Sequence, residues 1–281
     1  MSTRALVLGG GGVAGIAWEI GLLSGLADQG VDVRDADLVV GTSAGSVVGA
    51  LLRTGRELEE LHAAQLAAVP ASEPKVEFDG LAMMTAFGQA LAGVTDQQEA
   101  RARIGRLALE AETPGEAERR AVLRGRVGDA PWPDGRLVVT AVDTADGAFH
   151  AFDRSSGMSL LDAVSASCAV PGVWPPVTID GHRYMDGGMR SPTNADLATG
   201  HDKVLVVAPT GGFPGSPLGP GLEDEVALLR READVHVVLA DAGALSAFGT
   251  NPLDTATREP SARAGRAQAA AELAAVRSFW T

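Results

Sequence analysis

An α/β fold with a mostly parallel central sheet is predicted by three observations. A short apolar run, a glycine-rich turn and a helical stripe occur twice within the first 55 residues; apolar runs return after residue 136; and the chain's 281 residues, 46% hydrophobic and 21% charged, are enough for one large core and too apolar for a disordered polymer.

The elements follow in order. Arg4 to Leu8 reads as a buried strand running into four glycines. Ile16, Ile20, Leu23 and Ala27, spaced four, three and four apart, mark one helix face, with Gly30 as its stop. Leu38 to Val40 forms a second strand before Gly41-Thr42-Ser43-Ala44-Gly45, and Val47, Val48, Leu51 and Leu52 form a second stripe ended by Gly55. From about 56 to 133 no strand pattern occurs, and Pro70, Pro74, Pro114 and Pro131 interrupt what reads as helices and loops covering the sheet. Within that segment, Phe78 to Val94 carries Leu81, Met83, Met84, Phe87 and Leu91 at spacings expected of a packed helix face, with contact to substrate or lipid as the alternative. Strands are then predicted at Leu137 to Val142, Ala148 to Phe152, Val204 to Ala208 and Val235 to Leu239. Asp180-Gly181 joins two short strands as a hairpin, a helix starts near Ser159, Thr210 to Gly221 is a loop, and Ala262 to Val276 is a helix. No internal repeat or linker interrupts residues 1–281, which predicts a single domain.

Three motifs carry chemistry. Gly10-Gly11-Gly12-Val13-Ala14-Gly15 fits G-x-G-x-x-G between a strand and a helix, but the second strand ends in Gly41-Thr42-Ser43 where a dinucleotide site places an acid for the ribose, and no Gly-Lys-Ser/Thr follows. A glycine loop with amides directed at negative charge remains. Ser43, in a G-x-S-x-G strand-to-helix turn, is a candidate nucleophile, with Gly41 and Gly45 giving the sharp turn its room. None of His62, His150, His182, His201 and His236 lies in a catalytic context, so a serine hydrolase would need another base. Asp186, followed by Gly187 and Gly188, is the candidate; alone, Asp-Gly-Gly is also an ordinary turn.

Together and in this order, the motifs resemble the patatin-like phospholipase family. Gly21-Leu22-Leu23 and the stretch Ser165 to Pro176 extend the resemblance, which covers residues 4 to about 210 in blocks. It implies a three-layer fold with helices on both faces of the sheet, and a Ser-Asp dyad of Ser43 as nucleophile and Asp186 as base. It also implies an oxyanion hole from the amides of Gly10, Gly11 and Gly12, with Gly15, Gly41, Gly45, Gly187 and Gly188 as supporting motif positions. The reaction implied is hydrolysis of a lipid carboxylic ester through an acyl-serine, without metal or organic cofactor. A patatin-shaped protein with an inactive dyad, binding acyl chains or a protein partner, is the alternative. Before the loop's last glycine, where many members carry Arg or Lys, this chain has Ala14; Arg190 is a candidate for replacement charge or a solvated side chain.

Thirty-six acidic against 23 basic residues give a net charge of −13, which repels phosphate backbones and excludes nucleic acid as an expected partner. With only Lys75 and Lys203 among the basic residues, no polybasic anchor is present, and at most weak peripheral membrane contact is expected. The single cysteine, Cys168, reads as a buried core residue. No apolar run is long enough for a signal-peptide core or a spanning helix, so a soluble, cytoplasmic protein is expected.

Overall fold

In the computed structural model, residues 2–68, 79–212 and 215–281 are described; Pro70, Pro74, Lys75, Phe78 and two residues of the Thr210 to Gly221 loop, which figure in the sequence-based expectations, lie outside them. Among the described residues the sheet has eight strands: β1 (Arg4–Leu8), β2 (Leu38–Gly41), β3 (Arg136–Asp143), β4 (Phe149–Phe152), β5 (Val177–Ile179), β6 (His182–Asp186), β7 (Lys203–Ala208) and β8 (Asp234–Leu239). Their order is β5-β6-β3-β2-β1-β7-β8, with β4 also paired to β3. The β3, β2, β1, β7 and β8 strands run parallel, whereas β4, β5 and β6 are antiparallel to their neighbours.

Both faces of β1, β2 and β7 are buried, which is why those strands read as continuous apolar runs, whereas the edge strand β8 is largely half-buried. Leu6, Leu8 and Val39 face a large core that includes α1 (Gly12–Asp28), α2 (Ala44–Arg53), α7 (Leu160–Ser167) and α10 (Arg258–Trp280). Ala5, Val7, Leu38 and Val40 face a smaller core closed by α8 (Leu222–Leu229). Helices α3 (Leu58–Leu66), α4 (Gly80–Ala90), α5 (Gln97–Glu110) and α6 (Glu116–Val127) lie in the segment read as helices and loops. The expected helix starting near Ser159 is α7, capped by the Ser159 hydroxyl. The Asp180-Gly181 hairpin is present, both residues having positive φ as a tight turn requires. The C-terminal helix is longer than its apolar pattern, while α8 and α9 (Ala242–Phe248) were not apparent as helices in the sequence.

The α4 stripe departs from the packed face its spacing suggests. No residue of α4 is buried, and Leu81 and Met84 are 78% and 59% exposed; Phe87 and Leu91 alone of the larger side chains lean on the small core of Ile104, Val142 and Met185. Periodicity reports a helix with one apolar face, but not whether anything covers that face.

The β3 register positions the site. Gly41 at the end of β2 pairs with Val139, and Asp186 at the end of β6 pairs with Ala141, so two strands of opposite direction deliver their C-terminal ends two residues apart along β3. On the opposite side of α1, close packing against α10 holds the helix that follows the glycine loop. A Cβ on Gly21 would strike the Ala262 carbonyl and one on Gly265 the Trp18 carbonyl, while Trp18 Nε1 donates to Gln268 Oε1 at 3.0 Å.

Gly21→Val is therefore expected to force α10 away from α1 and destabilise the fold by about 1–3 kcal/mol or more, seen as a lower thermal unfolding midpoint. Gly88→Ala, on α4 with nothing within 4 Å of its new Cβ, is expected to leave the midpoint unchanged or raise it.

Candidate active site

Ser43 lies at the point where β2 becomes α2, with φ 51° and ψ −112°. A non-glycine residue held at positive φ is a strained backbone that persists only when its surroundings fix it. Here the Thr42 amide donates to the Leu8 carbonyl and the Gly45 amide to the Gly9 carbonyl, both at 3.0 Å, tying the turn to the glycine loop after β1. The Ser43 amide donates to Ser167 Oγ at 2.9 Å, and its carbonyl accepts from Ser46 Oγ at 2.6 Å and Cys168 Sγ at 3.3 Å. Close packing explains the flanking glycines: a Cβ on Gly41 would meet Ser46 Cα at 2.6 Å, and one on Gly45 would strike the Leu8 carbonyl.

Asp186, at the end of β6, is brought to the same place. Its Oδ1 accepts the Gly188 amide at 2.8 Å, and Gly187 packs so tightly on Thr140 that no side chain fits there. Burial raises the carboxyl pKa from 3.8 to about 7, opposed by the Ser43 hydroxyl, the Gly188 amide and the positive charge of Arg119. The Ser43 hydroxyl is thus near enough to act on the carboxyl, yet buried Oδ2 makes no hydrogen bond of ordinary geometry among the described residues. Such looseness is common in a catalytic pair without substrate.

The two halves are braced from behind. Asn194 Nδ2 lies 3.0 Å from Thr42 Oγ1 and 3.3 Å from the Gly187 carbonyl, bridging the residue before the serine to the residue after the aspartate. Thr42 and Thr140 hydroxyls meet at 3.0 Å, and buried Glu225 accepts from Thr193 Oγ1 and the Ala195 amide. The segment Ser191 to Asp196 thus serves the site as its frame. Arg190, considered as replacement charge or a solvated side chain, is partly enclosed: its guanidinium is held by Asn194 and Asp196 and lies over the Phe149 ring.

The glycine loop is not uniform either. The Gly10 amide donates to the Pro192 carbonyl at 2.8 Å, so of the three amides expected to face an oxyanion this one is already engaged. Among the described residues no protein acceptor is found for the amides of Gly11 and Gly12, at the start of α1, or of Ala44 beside the serine. The Gly15 amide closes back on the Gly11 carbonyl.

A narrow cavity of about 20 Å³ opens at Ser43, between Gly12, Ala44, Cys168, Trp174 and the arginines 119 and 126 of α6. None of the five histidines lines it. Cys168 is buried as expected, but at the wall of the cavity; its thiol is pushed up to about 11 by burial and by the nearby Asp186, which leaves Ser43 the better nucleophile candidate. Arg119 is itself buried and lies over Trp174, its guanidinium carbon 3.8 Å from a ring centroid. Sequence reasoning missed both arginines. Their seven-residue spacing, which places them on one face of a helix with Leu123, was the available signal.

A family model described as patatin-like phospholipase matches residues 6–199. Among curated proteins, uncharacterized NTE family proteins of Mycobacterium tuberculosis and Mycobacterium bovis are 28% identical over 225 residues, 79% of this chain and 52% of theirs. The chain thus spans about half the length of these relatives. Among solved structures, VipD from Legionella pneumophila aligns over 98% of this chain and 67% of its own at 12% identity, with a TM-score of 0.46. The type III effector protein ExoU aligns over 97% and 53% at 16% identity, with a TM-score of 0.37.

The Asp186 carboxyl gives a stability test. An acid whose folded pKa, about 7, exceeds its ordinary value of 3.8 holds more protons folded than unfolded between those values, so it destabilises the fold as pH rises through that window. Denaturant midpoints of Asp186→Asn are expected to exceed those of the wild type by an amount that grows from about pH 4 to about pH 7 and then levels.

Proposed function

The chain belongs to the patatin-like phospholipase family, and from that premise we propose that it is a serine acyl hydrolase acting on carboxylic esters of lipids. The observation that carries the reading is the meeting of Ser43, on a strained turn at the wall of a cavity, with the buried carboxyl of Asp186, on which its hydroxyl acts. In the reaction, Asp186 takes the hydroxyl proton as Ser43 Oγ adds to the ester carbonyl. The resulting oxyanion is stabilised by the amides of Gly11, Gly12 and Ala44, leaving Gly10 to hold the loop through Pro192. Collapse of the tetrahedral intermediate returns the proton to the departing alcohol and leaves an acyl-serine. Water then attacks, giving up a proton to Asp186, and the acid is released with Ser43 restored.

A base with a pKa near neutrality is well matched to this exchange, since it accepts and returns a proton at little cost in either direction. Access for lipid is supported by α4, whose uncharged face presents Leu81 and Met84 to the surroundings. With a net charge of −13, such contact favours uncharged over anionic interfaces. No helix among the described residues is long and apolar enough to cross a membrane.

A fluorophosphonate probe is expected to label the protein and to lose its target in Ser43→Ala; intact labelling of that variant would remove Ser43 as nucleophile, and no labelling of the wild type would favour a binding protein with an inactive dyad. Ester turnover should rise with pH through about 7 as Asp186 ionises and be abolished in folded Asp186→Asn. Gly12→Ala, placing a methyl group against the Pro252 carbonyl at positive φ, is expected to lower kcat by about 10²–10³.

A further inference from the structure

Among the described residues the sheet ends on β8, which pairs along its whole length with β7 and has nothing on its other side. The Asp234 amide donates to the Asp202 carbonyl and the Ala240 amide to the Ala208 carbonyl, so the even-numbered residues of β8 turn their backbone groups towards β7. Alternation turns those of Val235, Val237 and Leu239 outwards. No hydrogen bond among the described residues engages these three amides, and of the three carbonyls only that of Leu239 is met, by Gln268 Nε2 at 2.7 Å. Sheets commonly blunt such an edge by shortening the strand or by placing proline, lysine or a bulge on it. The opposite edge, β5, has three residues; β8 has six, with no proline or lysine among them. Its apolar side chains are also incompletely covered, Leu239 being 46% exposed.

The α8 helix adds charge beside this edge. Its Glu225 lies on the flank turned towards the short helical turn Ala195–Ala198, which packs on β1 and β2. With about 3.6 residues per turn, Glu223 and Arg230 share the opposite flank, on the side of the β8 edge. Both are exposed, and neither side chain has a hydrogen-bond or ion-pair partner among the described residues.

We propose that β8 is the interface of a homodimer, in which two copies of this chain pair their β8 edges antiparallel about a two-fold axis at Val237. Such an interface uses the same surface twice, so the surface has to complement itself. Here Val237 exchanges both backbone hydrogen bonds with the second copy's Val237. Val235 exchanges with the second copy's Leu239, whose carbonyl keeps a lone pair beside Gln268. Every outward amide of the strand is then satisfied, and Val235 covers the exposed Leu239 across the axis. No acid of the strand faces another: Asp234 stands opposite Ala240, and on the far face of the sheet Glu272 is beside His236 at 3.9 Å. The two α8 helices run antiparallel on one face of the joined sheet, which sets Glu223 of each copy against Arg230 of the other. The net charge of −13 on each copy opposes association, but salt screens it beyond about 8 Å, whereas these pairs meet at contact. The proposal is independent of the reaction assigned to Ser43.

Sedimentation equilibrium of the full chain at micromolar concentration is expected to give twice the monomer mass. Val237→Pro removes only an outward amide, which an edge strand tolerates, and is expected to weaken the dimer at least about tenfold. Should that variant fail to fold, Val237→Lys blunts the same edge with its backbone amide kept. Glu223→Arg and Arg230→Glu are each expected to weaken the dimer, and the two together to restore it. Oxidative crosslinking then reads the register, since the chain's one cysteine, Cys168, is buried. Val237→Cys is expected to link two copies, its Cα atoms lying about 5.5 Å apart across a hydrogen-bonded pair. Val235→Cys is expected not to, because its mates stand four residues apart along the strands, about 13 Å. A chain that stays monomeric as its concentration rises overturns the proposal. So does a dimer indifferent to both Val237→Pro and Val237→Lys, or one that Val235→Cys crosslinks as readily as Val237→Cys.

Discussion

The antiparallel arrival of β6 beside β3 is the constraint on which the site depends. Nucleophile loops at the ends of parallel strands are easily built, because strand and helix alternate and every such end opens on the same edge of the sheet. In this chain the second residue facing the serine comes instead from a strand that approaches from the other direction. The hairpin β5–β6 supplies it, and its register against β3 places Asp186 opposite Ala141, two positions from the Val139 that pairs with Gly41. Because side chains alternate along a strand, a slip of one residue would turn the carboxyl to the opposite face of the sheet. The close seat of Gly187 on Thr140 and the bridging amide of Asn194 both resist that slip.

Burial then sets the chemistry. The carboxyl has one oxygen satisfied by Gly188 and the other, among the described residues, without a hydrogen bond of ordinary geometry, an arrangement that is unfavourable for folding and suited to a proton acceptor. Its surroundings are otherwise well satisfied. Thr42, Thr140, Thr193, Asn194 and Glu225 form a connected set of hydrogen bonds behind Ser43 and Asp186, so the unsatisfied atom stands at the front of a rigid frame. The strained φ of Ser43 and the unsatisfied oxygen of Asp186 are two local departures from folding optimality at one location, which is where function most often concentrates them.

Much of this was legible in the chain because the signals are local. Apolar runs buried on both faces announce parallel strands, Asp180-Gly181 announces its own turn, and glycines around Ser43 and after Asp186 mark places where backbones approach closely. What escaped depends on contacts between distant segments. The Gly10 amide looks as available as its neighbours until Pro192 folds over it, and Arg190 looks solvated until Asn194, Asp196 and Phe149 enclose it. The exposed face of α4 and the inward face of α6 have similar helical periodicity; only the packed structure shows that the first meets no cover among the described residues and that the second carries Arg119 and Arg126 to the cavity at Ser43.

The arginines also change what the net charge means. A total of −13 acts over distance, but salt screens exposed charges beyond about 8 Å, so an anionic ligand is repelled by the surface as a whole only weakly and over a short range. Between buried groups there is less intervening water, and each interaction is stronger than at the surface. The positive charge of Arg119 thus opposes the burial that raises the Asp186 carboxyl, whatever the sign of the net charge. Global and local fields therefore act on different things: the first discourages adhesion to anionic bilayers and polyanions, which present many charges to the outer surface, and the second tunes one buried carboxyl.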